Sequence, residues 1–132
     1  MLLDANVLIA LFDDKHVHYE RVSRWFLTQQ TRMSLCALTE LSLLRWACRV
    51  DPKHGRNAAI AFLQALSQKL DYLDVLPRPA QLDWKSIYGH NQVTDSYLVA
   101  IAHQASQRLA TLDQGLFAVH GEKVVFISGN GS

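Results

Sequence analysis

Cysteine is scarce in this chain of 132 residues: Cys36 and Cys48 form neither a metal-type pairing nor a disulfide framework, which fits a reducing compartment and leaves the fold to an ordinary core. Both are expected inside that core. Net charge is scarce too, at +1, so no uniformly basic or acidic surface announces a partner. There is also no long hydrophobic run. The apolar opening "MLLDANVLIALF" is cut by Asp4, and it lacks a basic leader and a small-residue cleavage site. It therefore reads as neither secretion signal nor membrane anchor, and the expectation is a cytoplasmic protein without membrane contact. No internal repeat and no low-complexity tract divides the chain; "SGNGS" alone reads as a disordered tail and "DPKHGR" as an exposed loop. With 49% hydrophobic and 19% charged residues, the chain should form one globular domain spanning 1–132.

Short strand-like segments alternate with helical patterns, the signature of a parallel sheet covered by helices, an α/β fold. Leu2 to Asp4, Ser34 to Ala37, Tyr72 to Leu76, Arg108 to Thr111 and Val124 to Ser128 read as the strands. Val22, Trp25 and Phe26 recur at helical spacing between the first two. "LTELSLLRWACRV" continues that spacing until Asp51 and Pro52 stop it, and "NAAIAFLQALSQKL" and "TDSYLVAIAHQAS" supply two more helices.

Parallel strands end on one edge of their sheet, and the helices that follow begin there, so ligands gather at that edge. Asp4 closes the first strand and Asp113, in "LATLDQG", closes the fourth; Glu40 and Asp95 each follow a threonine at a helix start. All four should face one rim. Taken singly, Glu40 and Asp95 also suit the positive ends of their helices, and Asp113 suits a turn before Gly115. Asp4 is different, because a carboxylate among Leu2, Leu3, Val7 and Leu8 is costly to bury without a partner. No lysine or arginine stands beside any of the four in sequence, so a divalent cation is the economical counter-charge. Oxygen-only ligands select a hard ion, Mg²⁺ or Mn²⁺, and such a site suits phosphodiester hydrolysis without a nucleophilic side chain. With these four acids set aside, 13 basic residues face eight acidic ones, a surplus of five that mildly favours a polyanion.

"LLDANVLI", "LTELSLL", "VTDSYLVAIA" and "LATLDQG" resemble, in order and across nearly the whole chain, the four acidic motifs of PIN-domain nucleases. The short length is most similar to the VapC toxins of bacterial toxin-antitoxin pairs. The resemblance implies a single PIN domain with a five-stranded parallel sheet flanked by helices. It further implies Mg²⁺-dependent endoribonuclease activity on structured RNA, with transfer RNA the expected substrate, homodimerisation, and inhibition by a small VapB-type antitoxin. Carried over by position, Asp4, Glu40 and Asp95 are the principal catalytic and metal-holding acids, Asp113 is a weaker or water-mediated member, and Asn6 and Thr111 are polar supports.

Other readings stay beside this one. The same residues would serve a PIN nuclease that matures RNA as a housekeeping enzyme, or a silent RNA-binding module. A haloacid-dehalogenase-type phosphatase wants an aspartate where Asn6 stands, and a receiver domain wants a lysine that "VVFISGNGS" lacks. His16, His18 and Glu20 fall short of the four spaced ligands of structural zinc. Trp25, Trp46 and Trp84 suit core or interface better than base stacking, His90 suits a solvated loop, and Arg45 with Arg49 suits a solvated helix face or a phosphate track.

Overall fold

The structure, a computed structural model, describes residues 1–85 and 89–129; the last three residues of "SGNGS" lie outside the described residues. Five strands form one fully parallel sheet in the order β3-β2-β1-β4-β5: β1 (Leu2–Leu3), β2 (Ser34–Cys36), β3 (Asp71–Leu73), β4 (Leu109–Thr111) and β5 (Val124–Phe126). Six α-helices connect them among the described residues: α1 (Ala5–Phe12), α2 (Tyr19–Thr28), α3 (Ala37–Val50), α4 (Gly55–Ser67), α5 (Val93–Gln104) and α6 (Gln114–His120).

Neighbouring side chains on a strand point to opposite faces, and the core obeys that period. Leu3, Leu35 and Ala110 join one apolar cluster with Val7, Val22 and Leu43 from α1, α2 and α3. Their neighbours Leu2, Cys36 and Leu109 join a second cluster with Leu98, Ile101 and Leu116 from α5 and α6. Two helical layers therefore sandwich the sheet. Each fully buried leucine contributes roughly 1.5–3 kcal/mol, so the short strands are fixed by their two-sided burial more than by their length.

The strands are shorter than their sequence patterns suggest, and capping explains the clearest case. Asp4 ends β1 because its carboxylate accepts a hydrogen bond from the Ala5 amide at 2.7 Å, which starts α1 at once. The apolar run "ANVLIALF" is thus a helix that strand-like composition conceals. The third strand ends at Leu73, so Val75 and Leu76, expected within it, lie outside it and exposed. Of the cysteines, Cys36 is buried as expected, whereas Cys48 is exposed. Leu43 and Ala47 occupy the inner side of α3, and Cys48 follows Leu41 by seven residues on the outer side. "DPKHGR" is not wholly a loop either: its Gly55 is buried and begins α4.

Candidate active site

The strand order reverses direction at β1: the chain moves outward through β2 and β3, then returns to lay β4 on the other side of β1. In an open parallel sheet this switch leaves a crevice beyond the strand ends, because the connections on either side diverge. Asp4 follows β1 and Asp113 follows β4, so both stand at that crevice. Asp95 reaches it from the first turn of α5.

A small polar web holds the first acid in place. Asp4 is only 3% exposed; one carboxylate oxygen accepts from the Ala5 amide and the other from the Thr111 hydroxyl, at 2.7 Å each. The Thr111 oxygen in turn accepts from Asn6 Nδ2 at 3.2 Å and from the Asp113 amide at 3.1 Å. Asn6 Oδ1 accepts from the Leu112 amide at 3.2 Å, and Asp113 caps α6 by accepting from the Leu116 amide at 3.1 Å. Asn6 and Thr111 therefore tie the end of β1 to the end of β4, and each Asp4 oxygen retains acceptor capacity after its single bond.

The electrostatics show what this web leaves uncompensated. Burial pushes the Asp4 carboxyl up to about 6; its bond from Thr111 and that from Ala5 oppose the rise, and the charges of Asp95 and Asp113 add to it. Asp95 is also raised, by burial first and by Asp113 second. Asp4 thus feels two other carboxylates and Asp95 feels one, yet among the described residues the one ion pair is Arg32 with Asp71, 2.7 Å apart and exposed. Glu40 stands differently. It lies in the first turn of α3, and burial alone raises it. Its charge is felt instead by Tyr72 on β3, whose hydroxyl is raised by burial and then by Glu40.

Among the described residues, no three acids, histidines or cysteines stand close enough to enclose a metal ion by themselves. That spacing still suits a hard cation held by one or two carboxylates, which completes its shell with water and substrate phosphate. The donor set is all oxygen, and among the described residues no cationic side chain pairs with these acids, so the residues fit such an ion.

The profile of the PIN domain matches residues 1–122. The chain belongs to the PIN-domain family. It is 37% identical over 96% of its length to ribonuclease VapC29 of Mycobacterium tuberculosis, of which it covers 96%. It is 31% identical over 89% of its length to ribonuclease VapC38 of the same species, covering 88% of it. The crystal structure of VapC20 from that species, a toxin that cleaves the sarcin-ricin loop, superposes with a TM-score of 0.70 over 90% of this chain and 94% of its own; at 13% identity it shows the shared fold. This PIN domain is accordingly an endoribonuclease of the VapC toxin type, in a family that generally uses a divalent metal. No helix among the described residues is long and apolar enough to cross a membrane.

The remaining candidates fall elsewhere in the PIN fold. The His16 and His18 rings lie 5.6 Å apart, tilted at 47°, and the His16 ring accepts from the His18 amide, so the pair is occupied locally. Trp25 is buried, and Trp46 meets Phe12 edge-on, as core aromatics do. His90 opens a single 3₁₀ turn and is exposed, and Arg45 and Arg49 are exposed on α3. Two residues had no distinguishing signal in the sequence: Ser96, beside Asp95, places its hydroxyl 2.9 Å from the ring of His120 at the end of α6.

Coupled acids in the absence of metal give the site a stability signature. Asp95→Asn removes a charge that raises Asp4, so in EDTA at neutral pH the variant should melt above wild type. Solvent screening of this half-exposed group keeps the gain under about 1 kcal/mol. Added Mg²⁺ should raise the melting temperature of wild type more than that of the variant. Scanning calorimetry of both proteins with each additive decides the matter: lower stability in EDTA with an undiminished Mg²⁺ response would make Asp95 a simple helix-terminal acid.

Proposed function

We propose that this PIN domain is a Mg²⁺-dependent endoribonuclease toxin that cuts structured RNA, with transfer RNA as substrate, and that a VapB-type antitoxin restrains it. The observation that carries the reading is that the charges of Asp95 and Asp113 raise Asp4, and that of Asp113 raises Asp95, at the sheet's switch point, with no ion pair to any of the three among the described residues. One or two of Asp4, Glu40, Asp95 and Asp113 would hold the ion directly, and the others would reach it through water. When bound, such a cation activates a water at neutral pH and offsets charge building on the phosphate. The chain's own part is positional. Thr111 and Asn6 fix the Asp4 carboxylate, and the Asp113 cap fixes its neighbour, so the acids need no rearrangement as the phosphate arrives.

Activity should follow the ion. Purified protein should cut a transfer-RNA pool with Mg²⁺ or Mn²⁺, and EDTA should stop it; Ca²⁺ should bind with little turnover because its larger, looser shell misplaces the water. Cleavage that persists in EDTA sinks the metal reading. Glu40→Gln should lower the rate by about 10–100-fold, the scale of groups acting through the outer shell of a metal site. Mapping new 5′ ends after brief induction in cells tests the substrate, since cuts confined to ribosomal RNA would displace transfer RNA.

An antitoxin that inserts an arginine among the acids would replace the ion's charge with bidentate hydrogen bonds. Co-expression with a small neighbouring gene should relieve toxicity, and the lack of any isolable complex would favour a housekeeping nuclease. We also read the protein as a homodimer. Exposed Tyr72, Val75 and Leu76 at and beyond the edge strand β3 support this, and light scattering measures it.

A further inference from the structure

Three depressions lie side by side and share walls. The first holds Asp95 and Asp113 and is bounded by Ser96. Ser96 also bounds the second, a groove of about 280 Å³ lined by Leu82, Val99 and Ala100, by Trp84 and His120, and by one acid, Asp83. His103, His120 and Lys123 pass from the second into the third, where Arg108 adds another cation and Glu122 an acid. Acids, then a mixed groove with an aromatic and apolar share, then a mostly basic depression thus share walls in sequence.

The middle groove has fixed sides. Trp84 is not loose, because its indole N–H donates to the Pro79 carbonyl at 2.8 Å. The polar end is equally fixed: Ser96 is nearly buried and its hydroxyl shares a hydrogen bond with His120 Nε2. The volume falls below the roughly 300–1,000 Å³ of sites for drug-sized ligands, so it suits one planar heterocycle with hydrogen-bonding edges. An RNA strand carries such rings between phosphates, and proteins that take single strands pair aromatic platforms with a cationic groove.

We propose that the three depressions form one track for a single RNA strand, with a phosphate at the acids, a nearby base in the Trp84–Ser96–His120 groove, and a phosphate further along the strand on Lys123 and Arg108, which stand at the opposite end of β4 and β5 from the acids. The proposal rests on the nuclease reading and adds the seat of a base near the acidic site. Ser96 and His120 offer the polar edge against which bases are told apart, so the groove would contribute to sequence preference at one position.

The test uses Ca²⁺-loaded full-length protein and 5′-phosphorylated RNA trinucleotides of each of the four bases, beside a trinucleotide whose riboses carry no base. Calorimetry should show at least one base sequence binding on the order of tenfold tighter than the baseless strand. Ala100→Phe, which fills the groove, should erase that preference; Trp84→Ala, at the groove's edge, should reduce it. Lys123→Gln and Arg108→Gln should each make binding less sensitive to salt. Equal affinity for all five strands, or a base preference that survives Ala100→Phe, overturns the proposal. So does a groove whose variants weaken only the antitoxin complex. Failure of the metal reading looks different: Asp4→Asn or EDTA would leave the baseless strand's affinity untouched, whatever the bases do.

Discussion

Asp4→Asn should yield a folded protein whose RNA cleavage falls on the order of a thousandfold, about 4 kcal/mol of barrier. The change removes the most deeply buried charge of the site at almost constant volume. It also breaks a hydrogen bond that cannot be remade. Thr111 already accepts from Asn6 and Asp113, so its one proton goes to Asp4. An asparagine has one acceptor oxygen, and either orientation sets its amide against the Thr111 hydroxyl or the Ala5 N–H. That loss costs about 1–3 kcal/mol. The gain is comparable, because a carboxyl raised from 3.8 to about 6 carries a penalty of about 3 kcal/mol when ionised. Stability of the metal-free variant near pH 7 should therefore stay within about 1 kcal/mol of wild type, so lost activity would not reflect lost fold.

The same carboxyl sets a pH dependence with a definite sign. A folded-state pKa above the unfolded value means that folding takes up a proton, so the penalty is full above about pH 6 and relieved as pH falls through 6 toward 3.8. In EDTA, wild type should gain resistance to urea between pH 7.5 and pH 5.5, and Asp4→Asn should gain less. A purified, folded Asp4→Asn that cleaves at the wild-type rate would remove Asp4 from the site.

What could be read from residues alone divides along a physical line. The parallel sheet and its helical layers were legible because two-sided burial writes apolar runs at periods that one chain displays by itself, as Leu2, Leu35 and Leu109 do. The place of Asp4 and Asp113 at strand ends was legible for the same reason. Helix α1 was not: its eight residues, between a capping aspartate and Asp13, are too short and too uniformly apolar for a helical period to stand out. The third strand was read too long because Val75 and Leu76 are strand-like in type but have no neighbouring strand to bury them. Nor could sequence foresee that the Glu40 charge would bear on Tyr72 of β3, or that His120 would return to Ser96. Such pairings depend on how far one helix shifts over another, and hydrophobic period does not encode that distance.

Gly55→Ala should be the most damaging small substitution in the chain, lowering stability by about 3 kcal/mol, the upper end of ordinary overpacking costs. Its cause lies in the contact of α3 with α4. A Cβ on Gly55 would stand 2.0 Å from the Ala47 carbonyl oxygen and 2.6 Å from its carbon, and both are backbone atoms. No rotamer change relieves such an overlap; one helix must move. The surroundings resist, because the Gly55 amide donates to Asp51 at 2.8 Å, the Asp51 amide donates to Ala47 at 2.9 Å, and Ala47 and Ala59 are buried in the core between the helices. Elsewhere alanine is a better helix former than glycine by about 0.8–1 kcal/mol, so a simple propensity argument predicts stabilisation at this helix start. The two arguments give opposite signs. Gly89→Ala is the control, since a Cβ there meets nothing within 4 Å. Urea titrations should show a midpoint well below wild type for Gly55→Ala and near wild type for Gly89→Ala, with the slope unchanged in both. Because the overlap lies at the α3–α4 contact and not at the acids, the Gly55→Ala molecules that remain folded should cleave RNA at the normal rate. A Gly55→Ala midpoint equal to that of Gly89→Ala would mean that the two helices are not in backbone contact.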